Sequence, residues 1–256
     1  MKIASFNING IKARHPRLLE WLQESKVDVA LLQEIKSIDE NFPREAIEDL
    51  GYNIETHGQK GFNGVAILSK YPIEDVVRGL PGDDEDEQAR WIEATVNTVR
   101  VCCLYLPNGN PVPGPKFDYK LAWMARLYDH AKTLLQSEEA VVMAGDYNII
   151  PQPEDAHQIE DWEGDALYRP ESLAAFRKVL NLGYTEALRA LNPAPLTYTF
   201  WDFQAGAWNR NNGIRIDHHL LSPQAADKLK ACEIDHHMRG REKPSDHVPI
   251  WIELDI

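Results

Sequence analysis

The sequence has few cysteines and no long apolar run. Only three of its 256 residues are cysteine: Cys102 and Cys103 are adjacent, and Cys232 lies far along the chain. This spacing fits neither a CxxC metal pair nor an even-numbered disulfide framework, and it suits a reducing compartment. The first residues, MKIASFNING, contain no signal-peptide core, and no apolar run reaches the roughly 18 residues of a membrane-spanning helix. We therefore expect a cytoplasmic protein that does not interact with a membrane.

Internal repeats, low-complexity tracts and Gly/Ser linkers are also absent from the sequence. Apolar residues make up 43% of the chain and stay dense from Ile3 to Ile256. A chain of this length buries enough surface to fold without disulfides or a structural metal. We predict one continuous domain over residues 1–256.

Positive charge is scarce in this chain. It carries 27 lysine and arginine residues against 40 aspartate and glutamate residues, a formal net charge of −13. This balance excludes indiscriminate phosphate binding of the histone or repressor kind. It does not exclude an enzyme that acts on nucleic acid, because a divalent cation bound by clustered carboxylates reverses the local sign of the charge. The densest acidic run, residues 83–87, is more simply a solvated loop.

Short apolar or alternating runs bounded by turn residues predict ten strands. They span residues 2–8, 28–34, 53–56, 64–69, 91–97, 100–106, 140–144, 197–203, 215–221 and 247–254. Apolar residues at spacings of three and four predict a helix over residues 116–136. Two shorter helices, over residues 17–24 and 171–180, follow Pro16 and Pro170, since proline is favoured at a helix start.

The order of these elements favours an α/β sandwich. Strands outnumber helices, and two sheets packed face to face with helices outside would bury all the apolar faces. A parallel Rossmann sheet is the alternative layout, but no GxGxxG motif follows the first predicted strand.

Carboxylates and amides recur directly after the predicted strands or close to them. The polar residues at these positions are Asn7, Asn9, Glu34, Tyr105, Asp146, Asn148, Asp217, Asp246 and His247. Each of them alone could be a turn former or an exposed strand end. Their recurrence at strand ends is instead typical of a polar site held by a rigid scaffold.

This set of residues matches the hydrolysis of a phosphodiester. Glu34 is the best candidate ligand for Mg²⁺, which keeps several waters and coordinates a phosphate oxygen. Asp146 would orient and deprotonate the attacking water, with the amides of Asn148 and Asn7 beside it.

An imidazole held by a carboxylate would complete such a site, and His247 with Asp217 is the candidate pair. The carboxylate would raise the pKa of the imidazole, so that it is charged near neutral pH. A charged imidazole would then donate a hydrogen bond to the phosphate.

The chain resembles the exonuclease III family of apurinic/apyrimidinic endonucleases in eight motifs that occur in the family's order. They are SFNING, LLQE, GFNGVAILSK, LYLPNG, GDYN, YTFWDF, NNGIRIDHHLLS and KPSDHVPI. The resemblance covers nearly the whole chain and is least over residues 151–169. It implies a four-layer αββα fold, dependence on Mg²⁺, for which Mn²⁺ can substitute, and incision of duplex DNA 5′ to abasic sites. It also implies 3′–5′ exonuclease and 3′-phosphatase activity, with double-stranded DNA carrying abasic sites or 3′ ends as the partner of a monomer.

The resemblance further assigns roles to individual residues. Metal binding falls to Glu34, with Asp246 close to the metal and Asn9 at a position where other members carry an acid. Whether one or two ions bind stays open for that reason. The residues with catalytic roles are Asn7, Tyr105, Asp146, Asn148, Asp217 and His247.

Substrate specificity is expected from residues 199–216. By resemblance, Phe200, Trp201, Ile214 and Ile216 form an apolar pocket for a flipped-out abasic sugar, although Phe200 and Trp201 could instead be core residues. A deoxyribose without its base costs little to unstack, and a small pocket excludes normal nucleotides by size. The expected phosphate contacts are Lys60, Asn108, Lys116, Arg210, Arg215, Arg241 and Lys243.

Two alternatives remain open. One is an enzyme of the same wider endonuclease/exonuclease/phosphatase fold that acts on an inositol phosphate, a sphingolipid or undamaged DNA. The other is a non-catalytic DNA-binding or scaffold module, which the sequence disfavours because every proposed catalytic position carries a competent side chain.

Overall fold

The computed structural model describes residues 1–256 as twelve strands and six α-helices. The strands are β1 (Lys2–Asn7), β2 (Val29–Gln33), β3 (Asn53–His57), β4 (Val65–Ser69), β5 (Glu74–Arg78), β6 (Trp91–Val96), β7 (Val99–Tyr105), β8 (Ala140–Asp146), β9 (Thr185–Glu186), β10 (Asp217–Leu221), β11 (Leu229–Ile234) and β12 (Ile250–Leu254). The helices are α1 (Ile11–Ser25), α2 (Glu45–Glu48), α3 (Pro115–Leu135), α4 (Pro170–Leu180), α5 (Ala187–Leu191) and α6 (Pro223–Ala226). None of the helices is both long enough and apolar enough to span a membrane.

The strands form two mixed six-stranded sheets. The first has the order β11-β12-β1-β2-β4-β3 and the second has the order β5-β6-β7-β8-β10-β9. Within each sheet one central pair is parallel, β1 with β2 and β7 with β8, and the other pairs are antiparallel. The carboxyl ends of each parallel pair therefore lie at the same edge of their sheet.

Three apolar clusters divide the molecule into four layers. The middle cluster lies between the sheets, where alternate residues such as Leu31 and Val142 meet. The other faces of the sheets pack against helices: Phe6 of β1 joins Trp21 of α1 in one cluster, and Trp123 of α3 lies in the third. This arrangement is the four-layer αββα sandwich that the sequence predicts.

Nine of the ten predicted strands are present, and the errors have physical causes. The predicted strand over residues 197–203 is wrong, because Phe200 forms only isolated bridges with Ile214 and His247. Three strands were not predicted, namely β5, β9 and β11, and all three are edge strands. Edge strands are exposed on one side, so their sequences lack the apolar pattern of the central strands.

The start of α1 also differs from the prediction. The helix begins at Ile11 and contains Pro16, instead of starting after that proline. Its first residues are fixed by tertiary contacts, since Gly10 N donates to Glu34 O at 2.8 Å and Ile11 N donates to Ile35 O at 3.0 Å. These tertiary hydrogen bonds fix where the helix begins, so Pro16 lies inside it and removes one helical hydrogen bond.

Candidate active site

The polar strand ends of both sheets meet at one edge of the sandwich. In the first sheet Asn7 is paired with Gln33, the residue before Glu34. In the second sheet Tyr105 is paired with Asp146, which is also paired with Asp217. The register of five strands thus brings side chains from distant parts of the sequence to a common cavity.

This cavity has a volume of about 270 Å³. Ten of the twenty sequence-predicted site residues line it: Glu34, Tyr105, Asn108, Asp146, Asn148, Phe200, Ile214, Ile216, Asp246 and His247. Asn110, Trp162, Asp165 and Leu167 complete the lining, and the sequence did not single them out. A larger cavity of about 630 Å³ lies between α3 and α4, but its polar lining is only Asp129, Glu171 and Lys178.

Asp146 is held by amide groups on two sides. Asn7 Nδ2 donates to Asp146 Oδ2 at 3.0 Å, and the backbone N–H of Asn148 donates to Asp146 Oδ1 at 2.9 Å. Burial raises the pKa of Asp146 to about 7, although the neighbouring His247 partly opposes this shift. A carboxylate with a pKa near neutrality can accept a proton from a bound water.

His247 and Asp217 form the predicted imidazole–carboxylate pair. The distance between His247 Nδ1 and Asp217 Oδ2 is 2.8 Å, and both side chains are buried. His247 Nε2 lies 3.6 Å from Asp146 Oδ2. Burial alone would lower the pKa of His247, but the carboxylates of Asp217 and Asp146 outweigh it and raise that pKa to about 10. The imidazole is therefore a cation that presents Nε2 toward Asp146.

A second polar group surrounds Glu34. Lys36 Nζ lies 3.0 Å from Glu34 Oε1 and 2.6 Å from Asn9 Oδ1. Asn9 Nδ2 donates in turn to Asp246 Oδ1 at 2.9 Å. Three predicted metal ligands thus converge on one side of the cavity, where a lysine ammonium bridges two of them.

The backbone at several site residues is left-handed. Asn9, Glu34 and Asn148 have φ values of 46°, 56° and 47°. A positive φ is uncommon for residues other than glycine and is unfavourable for glutamate in particular. Local hydrogen bonds hold these conformations, including the bond from Asn9 N to Asn7 Oδ1 at 3.0 Å.

Tyr105 and Asn108 also line the cavity. Burial raises the pKa of Tyr105 well above its ordinary value, and the Glu34 and Asp146 carboxylates raise it further. Tyr105 is therefore a neutral phenol and a hydrogen-bond donor. Asn108 Nδ2 donates to Asn148 Oδ1 at 3.2 Å, which links two amide side chains of the cavity.

Two predicted substrate contacts do not reach the cavity. Arg215 is 1% exposed, and its guanidinium bonds to Asp155 Oδ1 at 2.8 Å and to Glu186 Oε1 at 3.0 Å. Trp201 is also 1% exposed, and its Nε1 donates to Asn211 Oδ1 at 3.1 Å. Arg215 is thus the centre of a buried ionic network and Trp201 is a core residue, and neither side chain lines the cavity.

Three predicted substrate contacts with apolar side chains line the cavity, namely Phe200, Ile214 and Ile216. Ile214 and Ile216 are buried on either side of Arg215 and line the cavity wall. The Phe200 ring packs edge-on against the His247 ring, with 5.0 Å between centroids. Arg241, an expected phosphate contact, is instead paired with Glu24 at 2.8 Å.

At the mouth of this αββα sandwich lie a carboxylate–imidazole pair, an amide-held aspartate and a glutamate. This set of groups defines a class of hydrolases that act on phosphate esters. The chain belongs to the endonuclease/exonuclease/phosphatase family, which it matches over residues 4–247. It is 36% identical to exodeoxyribonuclease III of Haemophilus influenzae over 266 residues, covering 99% of this chain and 100% of that protein.

Solved structures give the same assignment. An AP endonuclease from Archaeoglobus fulgidus is 35% identical, with a TM-score of 0.96 and full coverage of both chains. A 3′ phosphatase from Neisseria, solved with a product DNA hairpin, is 36% identical, with a TM-score of 0.97 and full coverage of both chains. The resemblance to exonuclease III, the fold class and the hydrolytic nature of the enzyme are thereby confirmed.

Proposed function

We propose that this protein is a DNA-repair phosphodiesterase that depends on a divalent cation. It incises duplex DNA 5′ to abasic sites and removes nucleotides or blocking groups from 3′ ends. The observation that carries the proposal is the convergence of Asp146, the His247–Asp217 pair and Glu34 on one cavity. The names of the similar proteins, an exodeoxyribonuclease III, an AP endonuclease and a 3′ phosphatase, support the same substrate class.

In this mechanism Asp146 is the general base. Its position between Asn7 and the N–H of Asn148 orients the carboxylate, which accepts a proton from the attacking water. The His247 cation and the Tyr105 phenol donate hydrogen bonds to the phosphate oxygens as negative charge develops on them. Asn148 supplies a further amide at the same wall.

We assign the cation to Glu34 and Asp246, with Asn9 beside them. Lys36 supports this fit, because its ammonium already lies where the Glu34 and Asn9 oxygens converge. Asp146, Asp217 and His247 also have ligand atoms within 4.8 Å of one another. In the mechanism above, that second group supplies the general base and the charged donor, so we assign the cation to Glu34 and Asp246. When bound, Mg²⁺ or Mn²⁺ would neutralise charge on the phosphate.

The abasic sugar is assigned to the apolar wall of the cavity. Phe200, Ile214, Ile216 and Trp162 provide this wall. The small cavity volume of about 270 Å³ favours a sugar without its base over a whole nucleotide. Duplex DNA is the proposed partner of a monomeric enzyme. The three cysteines are free and buried, which is consistent with the proposed reducing compartment.

A substrate panel tests the function. Duplexes with an internal abasic site, a 3′-phosphate or a recessed 3′ end are compared with intact duplex and soluble phosphoesters over a Mg²⁺ titration. We expect discrete cleavage at the abasic site and processing of the 3′ ends, both abolished by EDTA. Equal cleavage with EDTA, or turnover only of inositol phosphates or sphingolipids, would contradict the proposal.

A further inference from the structure

A fully buried lysine lies directly behind the cavity and has no role in the mechanism above. Lys120 is in α3 and is 0% exposed. Its Nζ donates to the backbone carbonyl of Asn108 at 3.0 Å and to that of Asn148 at 2.7 Å. The side chains of both asparagines line the cavity. One ammonium therefore joins the two loops that carry these amides.

The burial of this ammonium is costly for the fold. A buried charge normally requires a carboxylate partner, yet both hydrogen bonds of Lys120 go to carbonyl oxygens. Burial lowers the pKa of Lys120 to about 7, although the carboxylates of Asp146 and Asp165 oppose this shift. A neutral amine still has two N–H groups, so both bonds can persist when the lysine loses its proton.

The backbone beside Lys120 is adapted to its side chain. Gly109 has φ +93°, and a Cβ at this position would lie 2.7 Å from Lys120 Cδ and 3.1 Å from the Cβ of Ala166. Any larger residue would displace the lysine or the loop. The lysine stem and the loop that follows Asn108 are therefore in close contact.

The two bonds connect Lys120 to the general base. Asn108 Nδ2 donates to Asn148 Oδ1, and the N–H of Asn148 donates to Asp146 Oδ1. Asn148 has a left-handed backbone, which would relax if the bond to its carbonyl were lost. Lys120 is thus hydrogen-bonded to the backbone of both asparagines, and Asn148 lies two residues after Asp146 in the sequence.

We propose that Lys120 is a positioning residue, which fixes the amides of Asn108 and Asn148 against the scissile phosphate. The kinetic part of this inference rests on the proposed function. Loss of groups that orient a catalytic set costs about 10- to 100-fold in activity. We expect Lys120→Met to lower kcat by that factor and to leave KM nearly unchanged, since the amides act mainly on the transition state.

A double-mutant cycle tests the proposal. If Lys120 acts through Asn148, then Lys120→Met should cost less than about 3-fold in an Asn148→Ala background, because coupled residues are not additive. An equal loss in both backgrounds would overturn the proposal, as would an unchanged kcat. Lys132→Met, an exposed position on the same helix, is the matched control and should behave as wild type.

A second readout does not depend on turnover. The side-chain amide resonances of Asn108 and Asn148 should shift in Lys120→Met and stay in place in Lys132→Met. If the Met variant does not fold, Lys120→Gln keeps an amide donor and is used in its place. Unmoved amide resonances would overturn the inference, whereas absence of turnover in the wild type would overturn the proposed function alone.

Discussion

Asp217→Asn removes the charge that keeps His247 protonated and changes little else. Asp217 is hydrogen-bonded to His247 through Oδ2 alone, and its other oxygen, Oδ1, accepts no hydrogen bond from the protein. Asparagine has the same shape, and its carbonyl can still accept from Nδ1. The substitution therefore separates the charge of the pair from its geometry.

The expected effect on kcat follows from the groups that shift the pKa of His247. Burial lowers its pKa, and Asp217 contributes the most among the three carboxylates that raise it to about 10. If the loss of Asp217 returns the pKa of His247 to its ordinary value of about 6.5, the protonated fraction near pH 8 drops from about 0.99 to about 0.03. If the imidazolium donates to the phosphate, kcat at that pH falls by about 30-fold or more.

The assay is kcat for abasic-duplex cleavage between about pH 6 and pH 10 at saturating Mg²⁺. His247 has a raised pKa, so its contribution is present below that pKa and is lost as the pH rises through it. The alkaline limb should lie near pH 10 in the wild type and near neutrality in Asp217→Asn, with the two enzymes converging at low pH.

Asp202→Asn, an exposed aspartate, controls for the general effect of removing a negative charge. An alkaline limb that does not move in Asp217→Asn would refute the assignment of His247 as a charged donor. A loss that is equal at every pH would show that Asp217 acts through structure instead of charge.

Three further predictions concern the base, the metal ligands and the core. Asp146→Asn should lower kcat by at least about 100-fold, while the melting temperature and the DNA affinity measured by fluorescence anisotropy stay near those of the wild type. Near-normal turnover would refute the assignment of Asp146 as the general base. Glu34→Ala should raise the half-saturating Mg²⁺ concentration and Lys36→Gln should lower it, as calorimetric Mn²⁺ titration can check; shifts of the opposite sign would contradict the site. Burial lowers the pKa of His219 to about 3, so the folded protein loses stability as the pH falls below the ordinary histidine pKa of about 6.5. In urea unfolding near pH 5, His219→Leu should recover ~2 kcal/mol of the free energy of unfolding. The same pH dependence of stability in the wild type and in His219→Leu would refute this prediction.

Central strands and their ends could be predicted from the sequence because local patterns encode them. A buried strand has an apolar run, and a polar residue such as Asp146 directly after it marks the edge of the sheet. The polar edge strands β5, β9 and β11 carry no such pattern, since their pairing is fixed by the neighbouring strand.

The remaining site features depend on tertiary contacts. Lys36 and Lys120 resemble ordinary surface lysines in sequence, and only the fold places one against Glu34 and buries the other behind Asn148. Arg215 shows the converse, because it lies between Ile214 and Ile216, which line the cavity, while its own guanidinium is bonded to the buried Asp155. The place of Lys36 near the site could have been predicted from the sequence, since it lies two residues after the predicted ligand Glu34.

We propose that one hydrated cation binds at the mouth of the sandwich beside the amide-held base. Anomalous diffraction from crystals grown with Mn²⁺ would locate this cation. We predict one peak within roughly 2.1–2.2 Å of carboxylate oxygens of Glu34 and Asp246, with the Lys36 ammonium displaced. A peak between Asp146, Asp217 and His247, with none at Glu34, would contradict the account.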